Sequence, residues 1–366
     1  MPHPDFSALD GENLLQELQV YCMEQGASDI HTSPEKGYVR LEIRLHGMLE
    51  ELKPISNQNY EQFLRRVKFL SKLKLNIANI PQDGQYTFDA PGRVVNVRVA
   101  TLPSRFGETL TLRLLDPQRG ILTLTDLGFP QEMKDQLEEL VRLPNGIILV
   151  TGPTGSGKTT TLYALLATLI GTHRNIITLE DPVEYEIQGI VQSEIDPDHG
   201  YTFSTGLRAI LRHDPNVILL GEIRDLETAQ TAIDAALTGH LVLATLHTNS
   251  AIEAIPRLLS MGVSPYTFAP ALRAVLAQRL VRTLSPAAQK TESYDPLAPE
   301  TYSGQTVVAE LVIVTSKLRD MILIQEQETA ITEQAIKDGY KPLRVYGEEL
   351  IEKKVTTVEE ITRVTS

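Results

Sequence analysis

The pattern of apolar and polar positions divides the chain into two halves with different spacing. In the first half, apolar side chains at three- and four-residue intervals predict an amphipathic helix over residues 12–25, which Gly26 ends. Alternating apolar and charged residues predict a half-buried strand at 38–46, and helical spacing returns at 60–75. This half therefore mixes helices with strands that have one polar face.

Two more alternating segments, 93–100 and 109–115, predict strands that can pair as a hairpin. We therefore expect residues 1–115 to form a small α+β domain. The sequence Asp116-Pro117-Gln118-Arg119-Gly120 combines a proline, a glycine and a break in periodicity, which favours a linker at 116–124.

In residues 125–366 the strand signal changes to short, continuous apolar runs separated by helical stretches. Such runs are typical of strands that are buried on both faces. This half should hold a mostly parallel sheet covered by helices. The runs are 146–150, 175–179, 217–220 and 241–244.

A glycine-rich loop follows the first of these runs and immediately precedes a helical stretch. It has the full Walker A pattern, in which backbone N–H groups surround phosphate oxygens at a helix N-terminus. Lys158 reaches the outer phosphates and the Thr159 hydroxyl can ligate Mg²⁺. The predicted nucleotide-binding residues are Gly152, Pro153, Thr154, Gly155, Ser156, Gly157, Lys158, Thr159 and Thr160.

A P-loop enzyme also needs acidic groups for the metal and for the attacking water. Glu222 ends the apolar run 217–220 in the Walker B manner, and we assign it to Mg²⁺. A second candidate is the segment 180–185, with three carboxylates around a proline just past a strand. Without the P-loop, a solvated acidic turn would be the better interpretation of that segment.

Two histidines, His240 and His247, bracket the run 241–244. Isolated histidines are usually structural, but a strand beside the P-loop strand could bring them to a γ-phosphate.

Composition and charge make three features unexpected: a main role in binding nucleic acid, a zinc site built from thiolates and a membrane-spanning segment. The formal net charge of −13 argues against a chain whose main role is to hold nucleic acid. Cys22 is the only cysteine, so no zinc site built from several thiolates is expected. The chain has neither an apolar run long enough to span a bilayer nor a secretory signal, and we expect it to stay in the cytoplasm.

At this point the sequence resembles the secretion ATPases that power type II secretion and type IV pili. The resemblance covers nearly the whole chain, from the segment 26–31 through Pro81-Gln82-Asp83-Gly84 to the segment 356–364. Its central motifs occur in the family's order: the Walker A, the acidic segment 180–185, Gly221-Glu222-Ile223-Arg224-Asp225 and the histidine box 239–247. The implied fold class is α/β: a small N-terminal α+β (PAS-like) domain, then a RecA-like P-loop domain with a mostly parallel sheet and a helical C-terminal end.

The resemblance also implies residue roles and partners. Glu184 matches the family's catalytic glutamate, Glu222 its Walker B glutamate, and His240 and His247 its histidine-box pair. Arg98 and Arg113 match arginines that reach the phosphates from the N-terminal domain. The implied assembly is a homo-hexamer that hydrolyses ATP with Mg²⁺. It would be peripheral to the inner membrane, held by platform or docking proteins.

Within this family, the segments 339–343 and 350–364 favour the assembly and secretion branch. Two features depart from that branch: residues 282–288 have no tetracysteine zinc insertion, and we expect the extra N-terminal docking domain to be absent. Three alternatives stay open, namely a pilus retraction motor, a nucleic-acid motor of the RecA-like kind and a non-hydrolysing scaffold.

Overall fold

The computed structural model describes residues 3–116, 122–291, 294–296 and 298–365. The chain forms two compact units, Met1–Gly120 and Ile121–Ser366. The predicted linker at 116–124 falls largely on residues 117–121, which lie outside the described residues.

The N-terminal unit is a six-stranded antiparallel sheet with two helices on one face. The strand order is β3-β2-β1-β6-β5-β4. Apolar residues from both helices and from one face of the sheet form a single core, while the alternate residues of each strand stay polar. The elements are α1 (Gly11–Gln25), β1 (Asp29–Pro34), β2 (Val39–Leu45), β3 (Met48–Ile55), α2 (Asn57–Leu70), β4 (Gln82–Ala90), β5 (Arg93–Ser104) and β6 (Gly107–Leu115).

Local capping sets the ends of both helices. Gly26 ends α1, as predicted, and its backbone is left-handed. The helix predicted at 60–75 is displaced: it begins at Asn57, because the Ser56 side chain accepts the Asn59 N–H, and it ends at Leu70. Strands β1, β3 and β4 were not predicted.

The second unit is a seven-stranded sheet in the order β13-β12-β7-β11-β10-β8-β9. Strands β12, β7, β11, β10, β8 and β9 run parallel, and β13 joins β12 antiparallel at the edge. The strands are β7 (Gly146–Thr151), β8 (Ile176–Glu180), β9 (Val191–Glu194), β10 (Val217–Leu220), β11 (Leu241–Leu246), β12 (Leu272–Leu284) and β13 (Tyr302–Ile313). All four predicted runs are strands, and β9, β12 and β13 were missed.

Helices cover both faces of this sheet. Successive residues of β7 enter two different apolar cores, which explains its continuous apolar sequence. No helix in the described ranges is both long and apolar enough to cross a membrane. The helices are α3 (Gln131–Val141), α4 (Lys158–Ala167), α5 (Phe203–Ile210), α6 (Leu226–Leu237), α7 (Ala254–Ser260), α8 (Pro265–Ala271), α9 (Pro286–Gln289), α10 (Ser316–Leu323), α11 (Glu328–Lys337), α12 (Leu343–Glu352) and α13 (Val358–Thr365).

Candidate nucleotide site

The Walker A loop connects the central strand β7 to the N-terminus of α4, as predicted. Gly157 caps α4 with φ of 84°. Gly152 has φ of 147°, and a Cβ there would come within 2.5 Å of the Gln278 carbonyl oxygen and of the Ser156 hydroxyl. Both positions therefore require glycine, and the loop presents the unpaired N–H groups of a helix start.

Lys158 lies in the first turn of α4, with its ammonium folded over the loop. Its Nζ donates to the carbonyl oxygens of Gly152 at 2.9 Å and Pro153 at 3.0 Å. Burial lowers the pKa of Lys158, and the negative charge of Glu222 opposes that shift. The charge of the Walker B glutamate therefore favours the protonated Walker A lysine.

Glu222 follows β10 and has its side chain 16% exposed. Its carboxylate forms an ion pair with Arg224, and His247 Nε2 lies 3.8 Å from its other oxygen. Burial lowers the pKa of His247, and the positive charges of Lys158 and Arg224 add to this while Glu222 opposes it. Burial and the two neighbouring cations therefore favour the neutral form of His247 at the carboxyl edge of the sheet.

His240 is not brought to this edge. It precedes β11 and its Nδ1 lies 2.9 Å from the Ala235 carbonyl oxygen, whereas His247 follows the same strand. A strand of this length separates the two histidines by roughly 20 Å. Strand β11 does pair with β7, as expected, but only His247 lies on the P-loop side. The catalytic role of His240 stays a prediction.

The acidic segment 180–185 divides into a buried and an accessible part. Glu180 is the last residue of β8, is 3% exposed, and accepts hydrogen bonds from Tyr163, from Thr178 at 2.5 Å and from Gln192 at 3.3 Å. Burial raises the pKa of Glu180, and these hydrogen bonds oppose the shift. Glu180 therefore anchors the segment.

Glu184 lies in the following loop and is half-buried. Asp181 is exposed, with its carboxylate 3.9 Å from Arg224, so the segment reaches the Glu222 cluster. A half-buried carboxylate suits a group that orients water better than the fully buried Glu180 does.

Arg98 and Arg113 lie in the N-terminal unit, directly opposite each other on β5 and β6. Val97, Val99, Leu112 and Leu114 on the same strands are buried, so both arginines lie on the polar face of the sheet. Arg113 Nε donates to Asp29 at 2.8 Å and its side chain stays 55% exposed. Burial would raise the pKa of Asp29, but hydrogen bonds from Arg113 and Ser28 prevail and lower it.

The residues assigned to Mg²⁺ fit that ion. Thr159 is the second residue of α4, next to Lys158, and the charge of Glu222 acts on the same lysine. Both are hard oxygen donors, and Mg²⁺ is commonly held by one carboxylate together with phosphate oxygens and water. Among the described residues, no three His, Cys, Asp or Glu side chains group as a metal cluster. The expected absence of zinc stays a prediction.

Sequence reasoning missed two groups that shape this site. Gln278 on β12 is fully buried and donates to the Ser156 carbonyl oxygen at 2.7 Å, holding the loop from the neighbouring strand. Thr151 and Thr248 share a 2.7 Å hydrogen bond between their hydroxyls, joining the ends of β7 and β11. Both contacts join strands that are adjacent in the sheet but far apart in sequence, so the sequence alone does not show them.

The parallel sheet, the P-loop at its carboxyl edge and the acid at the end of β10 define a RecA-like P-loop NTPase. Residues 10–363 match the family described as type II/IV secretion system protein. The chain belongs to this family of secretion ATPases.

Curated relatives agree with that assignment. The chain is 44% identical to type II secretion system protein E of Pseudomonas aeruginosa, and the match covers 96% of this chain and 75% of the relative. It is 41% identical to type II secretion system ATPase E of Vibrio cholerae, with the same two coverages.

Solved structures support the fold. The pilus retraction motor PilT, determined with ADP bound, has a TM-score of 0.71 at 29% identity and covers 97% of each chain. The ATPase DotB of Legionella pneumophila has a TM-score of 0.77 at 23% identity, covering 100% of this chain and 98% of DotB. The predicted family, the RecA-like fold and ATPase activity are thereby confirmed.

Proposed function

We propose that this chain is the Mg²⁺-dependent ATPase that drives assembly of a type IV pilus or a type II secretion pseudopilus. The observation that supports this most is the cluster at the carboxyl edge of the second sheet. There Lys158, Glu222, Arg224 and His247 lie beside a P-loop that is shaped for phosphate.

Each group has a distinct chemical task. When ATP binds, the Lys158 ammonium exchanges its hydrogen bonds to the Gly152 and Pro153 carbonyl oxygens for bonds to the outer phosphates. The exchange is favourable because a charged donor prefers an anion to a neutral carbonyl. Glu222 and Thr159 would hold Mg²⁺, which would supply positive charge to offset the charge of the phosphates. Glu184 orients the attacking water, and neutral His247 can donate a hydrogen bond to the terminal phosphate.

Arg98 and Arg113 complete the site from an N-terminal unit, in the manner of arginine fingers. Two like charges in register on an open sheet repel each other, and a triphosphate between them and the P-loop would relieve that repulsion. The assembly is a homo-hexamer in which turnover moves N-terminal units against RecA-like units.

The motor works on the cytoplasmic face of the inner membrane, where platform or docking proteins of the machine hold it. Neither zinc nor nucleic acid takes part. A net charge of −13 disfavours nucleic-acid binding, and Cys22, the only cysteine, is fully buried.

Pilus retraction is the second candidate, because PilT is a retraction motor and matches this chain over nearly its whole length. Deleting the gene in the native cell separates the two. Loss of surface fibres or of secreted enzymes supports assembly, whereas cells with more numerous, static pili support retraction. Membrane proteins that co-purify with a tagged chain would identify the machine, and recovery of nucleic acid instead would contradict both functions.

A further inference from the structure

Glu310 is a buried carboxylate on β13 that binds the backbone of two segments far apart in sequence. It is 3% exposed. Its Oε1 accepts the Ala251 N–H at 2.7 Å and its Oε2 accepts the Leu343 N–H at 2.7 Å. The Tyr340 hydroxyl also hydrogen-bonds this carboxylate. A single side chain therefore joins two pieces of backbone.

The first of these pieces belongs to the nucleotide site. Segment 247–251 follows β11 and begins with His247, beside Glu222. The Thr248 hydroxyl is hydrogen-bonded to that of Thr151 at the end of the P-loop strand. The Asn249 carbonyl oxygen accepts a hydrogen bond from Arg279 Nη2 at 2.8 Å. Glu310 thus fixes the far end of the segment that positions His247.

The second piece is the start of helix α12. Its N-cap residue, Pro342, makes no side-chain hydrogen bond, so the helix does not cap itself. Glu310 supplies both an acceptor for the first helical N–H and a negative charge at the positive end of the helix dipole. The beginning of α12 therefore depends on a residue of the sheet.

Burial makes this arrangement sensitive to change. Arg279, which holds the same segment, is 9% exposed, and the charge of Glu310 opposes the lowering of the Arg279 pKa by burial. An ionised buried group is tolerated only when its hydrogen bonds are satisfied. Neither segment can shift alone without leaving a buried partner unpaired.

From this geometry we infer that Glu310 positions His247 in the ATPase site and couples segment 247–251 to helix α12. Nucleotide turnover at the P-loop then displaces the C-terminal helices through Glu310. The inference rests on the proposed function, because it takes His247 as a group of the ATP site.

The test is Glu310→Gln, with Glu352→Gln as the matched control, since Glu352 is an exposed glutamate of α12. The amide keeps the shape but turns one acceptor into a donor that faces an N–H. We expect kcat to fall about tenfold, with KM for MgATP changed by about twofold or less, because the P-loop is intact. In a His247→Ala background, the same substitution should reduce kcat further by about twofold or less, since the two residues act together.

Hydrogen exchange gives a readout of the coupling that does not need turnover. In the parent protein, MgADP should slow exchange in both 248–253 and 341–346. In Glu310→Gln, MgADP should slow hydrogen exchange in 248–253 but not in 341–346. Parent-like kcat, or slowing of both segments in the variant, overturns the inference. Tyr340→Phe, which removes only one hydroxyl from Glu310, provides the test if Glu310→Gln does not fold, and it should weaken the response of 341–346.

A parent protein that fails to hydrolyse ATP contradicts the proposed function itself. The exchange comparison still decides whether Glu310 joins the two segments.

Discussion

Arg98 and Arg113 face each other across neighbouring antiparallel strands, on the polar side of the N-terminal sheet. Two guanidinium groups in register are unfavourable by themselves. Asp29, on the next strand, accepts a hydrogen bond from Arg113 and relieves part of the repulsion. The arrangement suits two arginines that share an anionic ligand.

Arg98→Ala and Arg113→Ala should each reduce kcat by about tenfold to a thousandfold while changing nucleotide affinity less. Steady-state ATPase assays and nucleotide titrations measure both quantities. Arg105→Ala is the control, because Arg105 is exposed at the tip of the same hairpin. If both variants hydrolyse ATP like the parent and the control, the arginines belong to the surface and the phosphate role is wrong.

Glu184→Gln should bind ATP but lose turnover, because an amide cannot accept a proton from water as a carboxylate does. Glu186→Gln, an exposed neighbour in the same loop, should stay active. Glu180→Gln should instead lower the free energy of unfolding by roughly 1–3 kcal/mol, since it weakens buried hydrogen bonds. Normal turnover in Glu184→Gln together with an inactive, well-folded Glu180→Gln would identify Glu180 as the catalytic acid.

Glu222→Gln should raise the Mg²⁺ concentration for half-maximal activity by about tenfold, because a charged ligand of the ion is lost. A Mg²⁺ titration at saturating ATP measures this, with Glu227→Gln as a control, since Glu227 is exposed. An unchanged Mg²⁺ requirement would remove Glu222 from the metal site.

The sequence predicts the second unit better than the first. Strands buried on both faces, such as β7 and β10, leave continuous apolar runs, and the Walker A loop has a spacing that depends only on local backbone. Strand β1 is short and contains Asp29, His31 and Ser33, so its pattern does not stand out from a loop. Only its pairing on both sides within the sheet makes it a strand.

Local sequence likewise predicts some residues of the nucleotide site and not others. Lys158 and Glu222 are predictable because each lies within two residues of a strand end or a helix start. The contacts of Gln278 and of Thr151 with Thr248 are not predictable, because they depend on the order of the strands in the sheet. The two histidines looked equivalent in sequence, and only the direction of β11 separates them.

Glu360 gives a prediction for pH. Burial raises the pKa of this carboxyl, but hydrogen bonds from Arg363 at 2.8 Å and from Arg282 at 2.7 Å prevail and lower it to about 2. The folded pKa lies below the unfolded one, so Glu360 stabilises the fold above about pH 4.5. That stabilisation is lost as the pH falls from there to about 2.

Glu360→Gln should therefore lower the free energy of unfolding at pH 7 by roughly 1–3 kcal/mol and flatten its fall below pH 4.5. Denaturant titrations across this pH range measure the effect, with Glu359→Gln as the exposed control. A pH profile identical in parent and Glu360→Gln would mean that the ion pairs of Glu360 do not link α13 to β12.

The central claim is that the cluster around the P-loop hydrolyses ATP, and Lys158→Ala tests it most directly. The purified parent should hydrolyse ATP with Mg²⁺, and Lys158→Ala should reduce kcat by about a hundredfold or more, because it removes the charge that holds the outer phosphates. Lys337→Ala, at an exposed position of α11, should match the parent. Phosphate release by Lys158→Ala at the parent's rate would contradict the account.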